Sequence, residues 1–406
     1  MRSDWFFGLV RHRAKESLHP QPYYDRELDN LTHTLTGLLL ARAGLGRLAP
    51  RAALTAVLAA NIPDLDVVSG AFGSHVYLDY HRHFTHALAA APLLAALPLL
   101  ALRTKRPDWP GAYLVSLAGV LSHVLMDWTN IYGTRLALPF SAAWLRLDFM
   151  PVVDIWILMV FLLALAAPAF SRLVGSEIGE RRRQGAPGRG WARFALGFFL
   201  LWSAGRALAH QRAVAILDAH LYGGSPPAAV AALPDPVNPL RWRGLVRLPG
   251  RYSLAAVNLL RRFDPEAVQT YYPAEPSPAR QAAAATPPFQ ALVRFAAFPL
   301  WIVTPLPEGE WQVDLLDLRF GAPAQPGFVA SAASTPQIAC CKPAFRSAGS
   351  ESADFACGGA RFPITLVRGE EPVLCPISRS SRSLRMFVTI PRTTSSRSWS
   401  SSSIFR

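Results

Sequence analysis

Four apolar runs of 16 to 19 residues constrain this chain more than any other feature. They are "ALAAAPLLAALPLLAL" (Ala87 to Leu102), "GAYLVSLAGVLSHVLM" (Gly111 to Met126), "VVDIWILMVFLLALAAPAF" (Val152 to Phe170) and "WARFALGFFLLWSAGRALA" (Trp191 to Ala209). A bilayer takes about 20 such residues per helix, so the last two approach a full span and the first two reach it with their flanks. The opposing reading, buried core helices of a large soluble protein, suits runs of about 10 to 14 residues better. Charge placement separates the two. Twelve basic residues fall in three connections: Arg42, Arg47 and Arg51; Arg103, Lys105 and Arg106; and Arg172, Arg181, Arg182, Arg183, Arg189 and Arg193. The intervening connections, 68–86 and 128–151, hold only Arg82, Arg135 and Arg146. The positive-inside bias puts the first set in the cytoplasm. Residues 28–212 therefore form an all-α polytopic membrane domain of about five to six inserted helices.

With that orientation the ionisable residues collect at the outer face, although the counting never used them. Five of the ten histidines, His75, His81, His83, His86 and His123, lie within 49 positions, with His33 upstream. Asp64 and Asp66 end the second segment, His81 to His86 open the third, His123 and Asp127 end the fourth, and Asp154 opens the fifth. Ionisable groups at such depth are costly and are paired or face a water-filled cavity. In "IPDLDVV" the proline biases Ile62 away from helix, so an extended "DLD" points Asp64 and Asp66 to one side, where the pair could grip a cation. His123 and Asp127, four apart, share a helix face. Thr85 as an N-cap puts His86 in a first helical turn and His81 in the loop before it, with His83 pointing elsewhere. Singly, each element has an ordinary structural explanation; His33 alone is more often an interfacial histidine than a ligand. Together, imidazoles and carboxylates in an apolar setting suit zinc, manganese or iron better than calcium or magnesium.

The motifs "NLTHTLTGLLL", "ANIPDLDVVS", "HRHFTHAL" and "LSHVLMDWTNIYGTRLALPFS", in that order, resemble the predicted membrane-bound metal-dependent hydrolases related to the LexA-binding, inner-membrane-associated hydrolase family. The likeness covers roughly residues 28 to 170 and extends loosely to about 325. It implies a bacterial-type inner membrane location and puts His33, Asp64, Asp66, His81, His86, His123 and Asp127 at the family's motif positions. Family members usually carry glycine where this chain has His83, and often "IIDP" where it has "VVDI", which sets Asp154 apart. The chemistry expected is metal-assisted hydrolysis. One or two divalent ions, zinc or manganese, lower the pKa of water toward ~7 and polarise an ester or phosphoester. Asp66 or Asp127 takes the water's proton. Arg82 and Arg135 either hold an anionic headgroup or snorkel at the interface. A site at the membrane surface suggests a lipid or lipid-linked substrate. The competing class is a non-enzymatic membrane scaffold or metal-dependent binding protein. Nucleic acid is not an expected partner despite a net charge of +14, because the basic residues sit in short connections and the tail instead of forming an aromatic-interleaved stripe.

Beyond the membrane domain the pattern changes. "LRWRGLVRL", "RYSLAAVNL", "FPLWIVTPL" and "WQVDLLDLRF" alternate as strands, with "LPEGE" a hairpin turn. They predict a small antiparallel β-rich domain over 213–326, on the outer side with the cluster. Residues 1–27 lack a signal-peptide apolar region and form an extension before a natural start near Leu28. Residues 327–406 are Ser/Arg-rich, hold Cys340, Cys341, Cys357 and Cys375 without a metal or C-x-x-C spacing, and suggest a disordered or frame-altered tail.

Overall fold

The computed structural model describes residues 26–177, 188–307, 310–334 and 386–387. The expectations placed on residues 1–25, on Arg181, Arg182 and Arg183, and on the four cysteines lie outside them. Among the described residues the chain is mainly helical up to residue 218 and then turns to antiparallel sheet.

Helix α1 (Arg26–Ala43) packs against α2 (Ala52–Ala59), and both against α6 (Trp109–Thr129). Small residues allow the close approach. A Cβ on Gly37 would stand 2.6 Å from the Ala56 carbonyl oxygen, and one on Gly119 would stand 2.8 Å from the Ala59 Cβ. Such small-residue seams let helix backbones meet inside membranes, where apolar side chains gain little by leaving lipid. Helix α7 (Ile155–Glu177) and the 30-residue α8 (Arg189–Asp218) close the bundle through Leu39, Ile157, Phe161 and Ala195.

Outside this seam the surface is apolar: Leu163 is 61% exposed and Leu201 76%, with Leu93, Leu114, Phe170 and Phe194 also outward. Core helices of a soluble protein would bury those side chains. Among the described residues two helices are long and apolar enough to cross a membrane, Arg106–Thr129 and Ile155–Leu173. Two bent pairs raise that to four if each is one span: Ala52–Ala59 with Pro63–Phe72, bent by 43°, and Ser74–His86 with Leu88–Ala101, bent by 57°. The expected five to six is thus not reached by length and composition. The run 87–102 is broken into α4 (Ala91–Leu94) and α5 (Leu97–Ala101), each with a proline in its first turn, where the missing N–H costs least. Helix α8 is long enough, but Arg193, Arg206 and Arg212 interrupt it.

The C-terminal part is built in layers. Strands β1 (Ala229–Pro234), β2 (Arg241–Leu248), β3 (Arg251–Asn258) and β4 (Val268–Tyr271) form one antiparallel sheet in chain order. A second contains β5 (Pro299–Pro305), β6 (Trp311–Asp317), β7 (Val329–Ser334) and β8 (Met386–Phe387). Both faces of each sheet are used, as the period of two requires. Leu233, Leu245 and Leu254 meet Leu300, Leu316 and Val329 between the sheets. On the first sheet's other face Trp242, Val246 and Val257 pack against Ala213 and Leu217 of α8. On the second sheet's other face Trp301, Val313 and Leu315 pack against α9 (Pro278–Ala284) and α10 (Pro287–Phe295).

The four expected strands are β2, β3, β5 and β6, and the "LPEGE" connection joins an antiparallel pair, with residues 308 and 309 outside the described set. The limits differ from expectation. Helix α8 continues to Asp218, so the sheets begin later than 213, and β7 pairs with β6 beyond 326 because small alternating residues fit its buried face.

Candidate metal centre

Five segments bring the site together. His33 lies on α1, one turn after Asp29. A 3-10 helix, Pro63–Phe72, carries Asp64 and Asp66 in its first turn. The turn after α3 (Ser74–Tyr80) supplies His81 and Arg82, a short 3-10 turn, Phe84–His86, supplies His86, and α6 supplies His123 and Asp127.

The extended "DLD" is corrected here. Ile62 is helical (φ −60°, ψ −39°) because its N–H continues the turn from Leu58 at 3.0 Å, which outweighs the pre-proline bias. In a helix of three residues per turn, side chains two apart diverge by about 120°. Asp64 and Asp66 therefore diverge, Asp64 toward the Nε2 atoms of His86 and His123 and Asp66 toward His81, Thr85 and the Nδ1 side of His86. Thr85 is likewise no N-cap: its hydroxyl donates to Asp66 Oδ2 at 2.5 Å, and no side chain caps the Phe84–His86 turn.

At the centre four atoms converge: His86 Nε2, His123 Nε2, Asp64 Oδ1 and Asp127 Oδ2. The two nitrogens are 3.1 Å apart; Asp127 Oδ2 lies 3.0 and 3.3 Å from them, and Asp64 Oδ1 lies 3.5 Å from each. A tetrahedron with metal–ligand bonds of about 2.0–2.1 Å has edges of about 3.3 Å. The proton inventory agrees. His123 Nδ1 must donate to the Ala60 carbonyl oxygen at 2.7 Å, since a carbonyl only accepts. The single hydroxyl proton of Thr85 goes to Asp66, so its oxygen accepts from His86 Nδ1 at 3.0 Å. With both rings neutral, bare Nε2 lone pairs face each other, the tautomer that a metal-binding imidazole presents; with a proton on His86 Nε2, that ring donates to Asp127 Oδ2 at 3.0 Å instead. Asp64 Oδ1 and Asp127 Oδ2 are buried without a hydrogen-bond donor. Four lone-pair donors at these distances repel one another unless a metal ion or a proton on His86 stands among them.

Around this quartet the remaining residues orient it. Asp66 also faces His81 Nδ1 at 2.7 Å and accepts the Arg82 N–H at 2.9 Å, so both its oxygens meet protein groups. His81, Asp64 and Asp66 form one further set able to hold a metal; Asp29, His33 and Asp127 form another. His33 stacks on His123, ring centroids 3.8 Å apart, with Nε2 3.4 Å from both Asp29 and Asp127. Arg82, expected to reach an anion or the interface, is 3% exposed and engages Asp29, Asp127 and Asn130. Its φ of 60° is costly for a non-glycine residue and turns the guanidinium inward. Arg135 stacks on Trp144 instead, 5.2 Å from the ring centroid. His83 belongs to none of the three sets and packs beside Tyr80 and Phe84. Asp154 caps α7, accepting the Trp156 and Ile157 N–H groups and the Trp202 indole. In the connection between α6 and α7, burial raises the Asp148 carboxyl above the ordinary range, against the pull of Arg146.

Three contributors escaped the sequence. Asp29 had a signal, the same four-residue spacing to His33 that marks His123 and Asp127. Asn130 accepts from Arg82 and from the Tyr132 and Gly133 N–H groups, which ordinary helix-end chemistry does not announce. The Ala60 carbonyl is backbone and has no sequence signal at all.

Such a bundle, apolar outside and with a His/Asp cluster at one end, defines a membrane-associated protein with a candidate metal centre. Residues 28–213 match the sequence model of a family described as YdjM inner membrane protein. The chain is also 31% identical over 151 residues to the uncharacterized protein YfhP of Bacillus subtilis (strain 168). That match covers 34% of this chain and 46% of the relative, so the chain spans about half the length of the protein it matches. No solved structure matches.

Proposed function

We propose that the protein is a metal-dependent hydrolase of the inner membrane, cutting an ester or phosphoester of a lipid or lipid-linked substrate at the membrane face. The observation that carries this reading is the convergence of two imidazole nitrogens and two carboxylate oxygens from four residues, all within 4.8 Å of one another. A divalent ion there, zinc or manganese, supplies Lewis acidity, activating water near neutral pH and polarising the bond to be cut. The chain's own residues do the rest. Thr85 and the Ala60 carbonyl hold the two imidazoles in the required tautomer, while Arg82 and Asn130 fix the tilt of Asp127. Of the two expected bases, Asp66 meets protein groups at both oxygens and Asp127 gives Oδ2 to the quartet and Oδ1 to Arg82 and Asn130, so neither keeps an unengaged oxygen for the water's proton. Asp64, with its side chain 14% exposed, is the least enclosed of the four, and water reaches the quartet from its side.

A cavity of about 30 Å³, room for water beside the cluster, is lined by Asp29, His33, Asp127, Asn130 and Asp154 together with Met150, Ile157 and Phe199. In the full membrane reading α1 and α8 join the four candidate spans to give six inserted helices. The chain is then multi-pass, with the cluster and the β-rich part on the outer face because the cationic end stays inside.

One observation favours a second reading. Four protein donors complete a tetrahedron, the pattern of a structural site, and a catalytic one keeps a position open. The protein would then be a scaffold whose metal ties α6 to the segments between α2 and α4. Metal analysis of detergent-purified protein, a panel of esters and phosphoesters, and chelation with helicity followed in parallel decide between them. The hydrolase reading expects bound metal and an activity that chelation removes while the helices persist. Melting on chelation, with no activity beforehand, selects the scaffold. Absence of metal sinks both and favours a His86 imidazolium donated to Asp127.

A further inference from the structure

Arg82 stands where a second cation would. The Asp29–His33–Asp127 set has the composition of a metal site. Yet the Arg82 NH2 group lies 2.9 Å from Asp29 Oδ2 and 3.1 Å from Asp127 Oδ1, and NH1 donates to Asn130 Oδ1 at 3.1 Å. Asp127 thereby divides its oxygens: Oδ2 joins the quartet and Oδ1 faces the guanidinium. Charge points the same way. Four carboxylates, Asp29, Asp64, Asp66 and Asp127, surround one guanidinium, so with neutral imidazoles the cluster has three negative charges in excess. One divalent ion in the quartet reduces that excess to one. A second ion beside Arg82 would reverse its sign and set two cations against each other in a poorly screened interior.

The arginine cannot easily swing away. Its N–H is held by Asp66 Oδ2, its carbonyl accepts the Arg135 N–H at 3.0 Å, and its guanidinium lies over the Tyr132 ring, 4.7 Å from the centroid.

We infer that Arg82 is a resident cation that occupies the Asp29–His33–Asp127 set and, with the Asp66 oxygens of the third set already taken up by His81, Thr85 and the Arg82 N–H, limits the cluster to one divalent ion, held by Asp64, His86, His123 and Asp127. This rests on the metal reading above. It makes His33 a positioning residue, stacked on His123, and not a ligand of that ion.

The test counts metal in purified full-length protein, titrated with zinc or manganese after chelation. Wild type should bind one equivalent, Arg82→Lys one, and Arg82→Ala two. His33→Ala should leave wild-type stoichiometry at one, with affinity lowered by no more than about 100-fold, the range of an outer-shell contact. The same change in the Arg82→Ala background should remove the second equivalent. Two equivalents in wild type, or one in a folded Arg82→Ala, would overturn the inference and leave the metal reading standing. No metal in wild type would remove both. Should Arg82→Ala fail to fold, His33→Ala and Asp29→Asn in the otherwise unchanged protein decide: retention of one equivalent supports the inference, and loss of any equivalent overturns it.

Discussion

At the residue scale the site depends on which atom of each side chain faces inward, and neighbours set that. His86 and His123 look alike in sequence, but one is oriented by a hydroxyl and the other by a backbone carbonyl. Replacing either with Ala removes a donor that no side chain on another segment can replace, so each variant should lose its bound metal on purification. His83 lies outside all three candidate sets, and His83→Ala should therefore keep the metal. Equal loss in all three variants would mean that the quartet is not the binding site. Thr85→Val tests the orienting contacts. It removes the acceptor for His86 Nδ1 and a donor to Asp66, and should weaken metal binding by about 10–100-fold, with Thr85→Ser restoring it. Unchanged affinity in the valine variant would break the tautomer argument.

At the element scale the close contact of α1, α2 and α6 delivers the ligands. His123 reaches the Ala60 carbonyl because Gly119, one turn earlier on α6, lets that helix lie against Ala56 and Ala59. Gly119→Val should force the helices apart and cost about 1–3 kcal/mol, as overpacking commonly does. Gly197 on α8 has no neighbour within 4 Å of its Cβ position, so Gly197→Ala should change stability by at most about 1 kcal/mol, in the stabilising direction. Denaturation in mixed detergent micelles, with metal content read in parallel, distinguishes the two. A valine variant as stable as wild type would show that the seam tolerates separation.

At the scale of the whole molecule the two ends of the bundle differ in charge. Arg42 donates to the Leu165 carbonyl, Arg51 to the Leu102 carbonyl and Arg193 to the Ala43 carbonyl, which gathers these cations at the end away from the cluster. At the cluster end the β-rich part packs directly on the site's support. Arg319, buried beside Asp317, donates to the Ile131 and Phe295 carbonyls, and the Asp79 carboxylate takes two bonds from Arg294. Tyr132, which lies against Arg82, packs on Phe295. A topology reporter fused between α7 and α8 should therefore read cytoplasmic, and one fused after Gly224 should read external. The opposite pattern would move the cluster to the cytoplasmic face without touching its geometry.

The sequence by itself determined the apolar runs, the clustering of cations between some and of His and Asp between others, and the period-two strands. Those are properties of composition and spacing, which local physics reads directly. It also singled out His86, His123, Asp64 and Asp127, because ionisable residues beside apolar runs stand out whatever the fold. Only the tertiary structure decided that Asp64 and Asp66 part company, that Thr85 holds Asp66 instead of starting a helix, that Arg82 turns inward, and that Asp29 belongs to the cluster. The last three depend on a partner distant in the chain, such as Asp127 for Arg82, while the first follows from the local 3-10 turn that overrides the pre-proline bias. A side chain's direction is fixed by the partner that relieves its burial, and that partner is known only once the helices have packed.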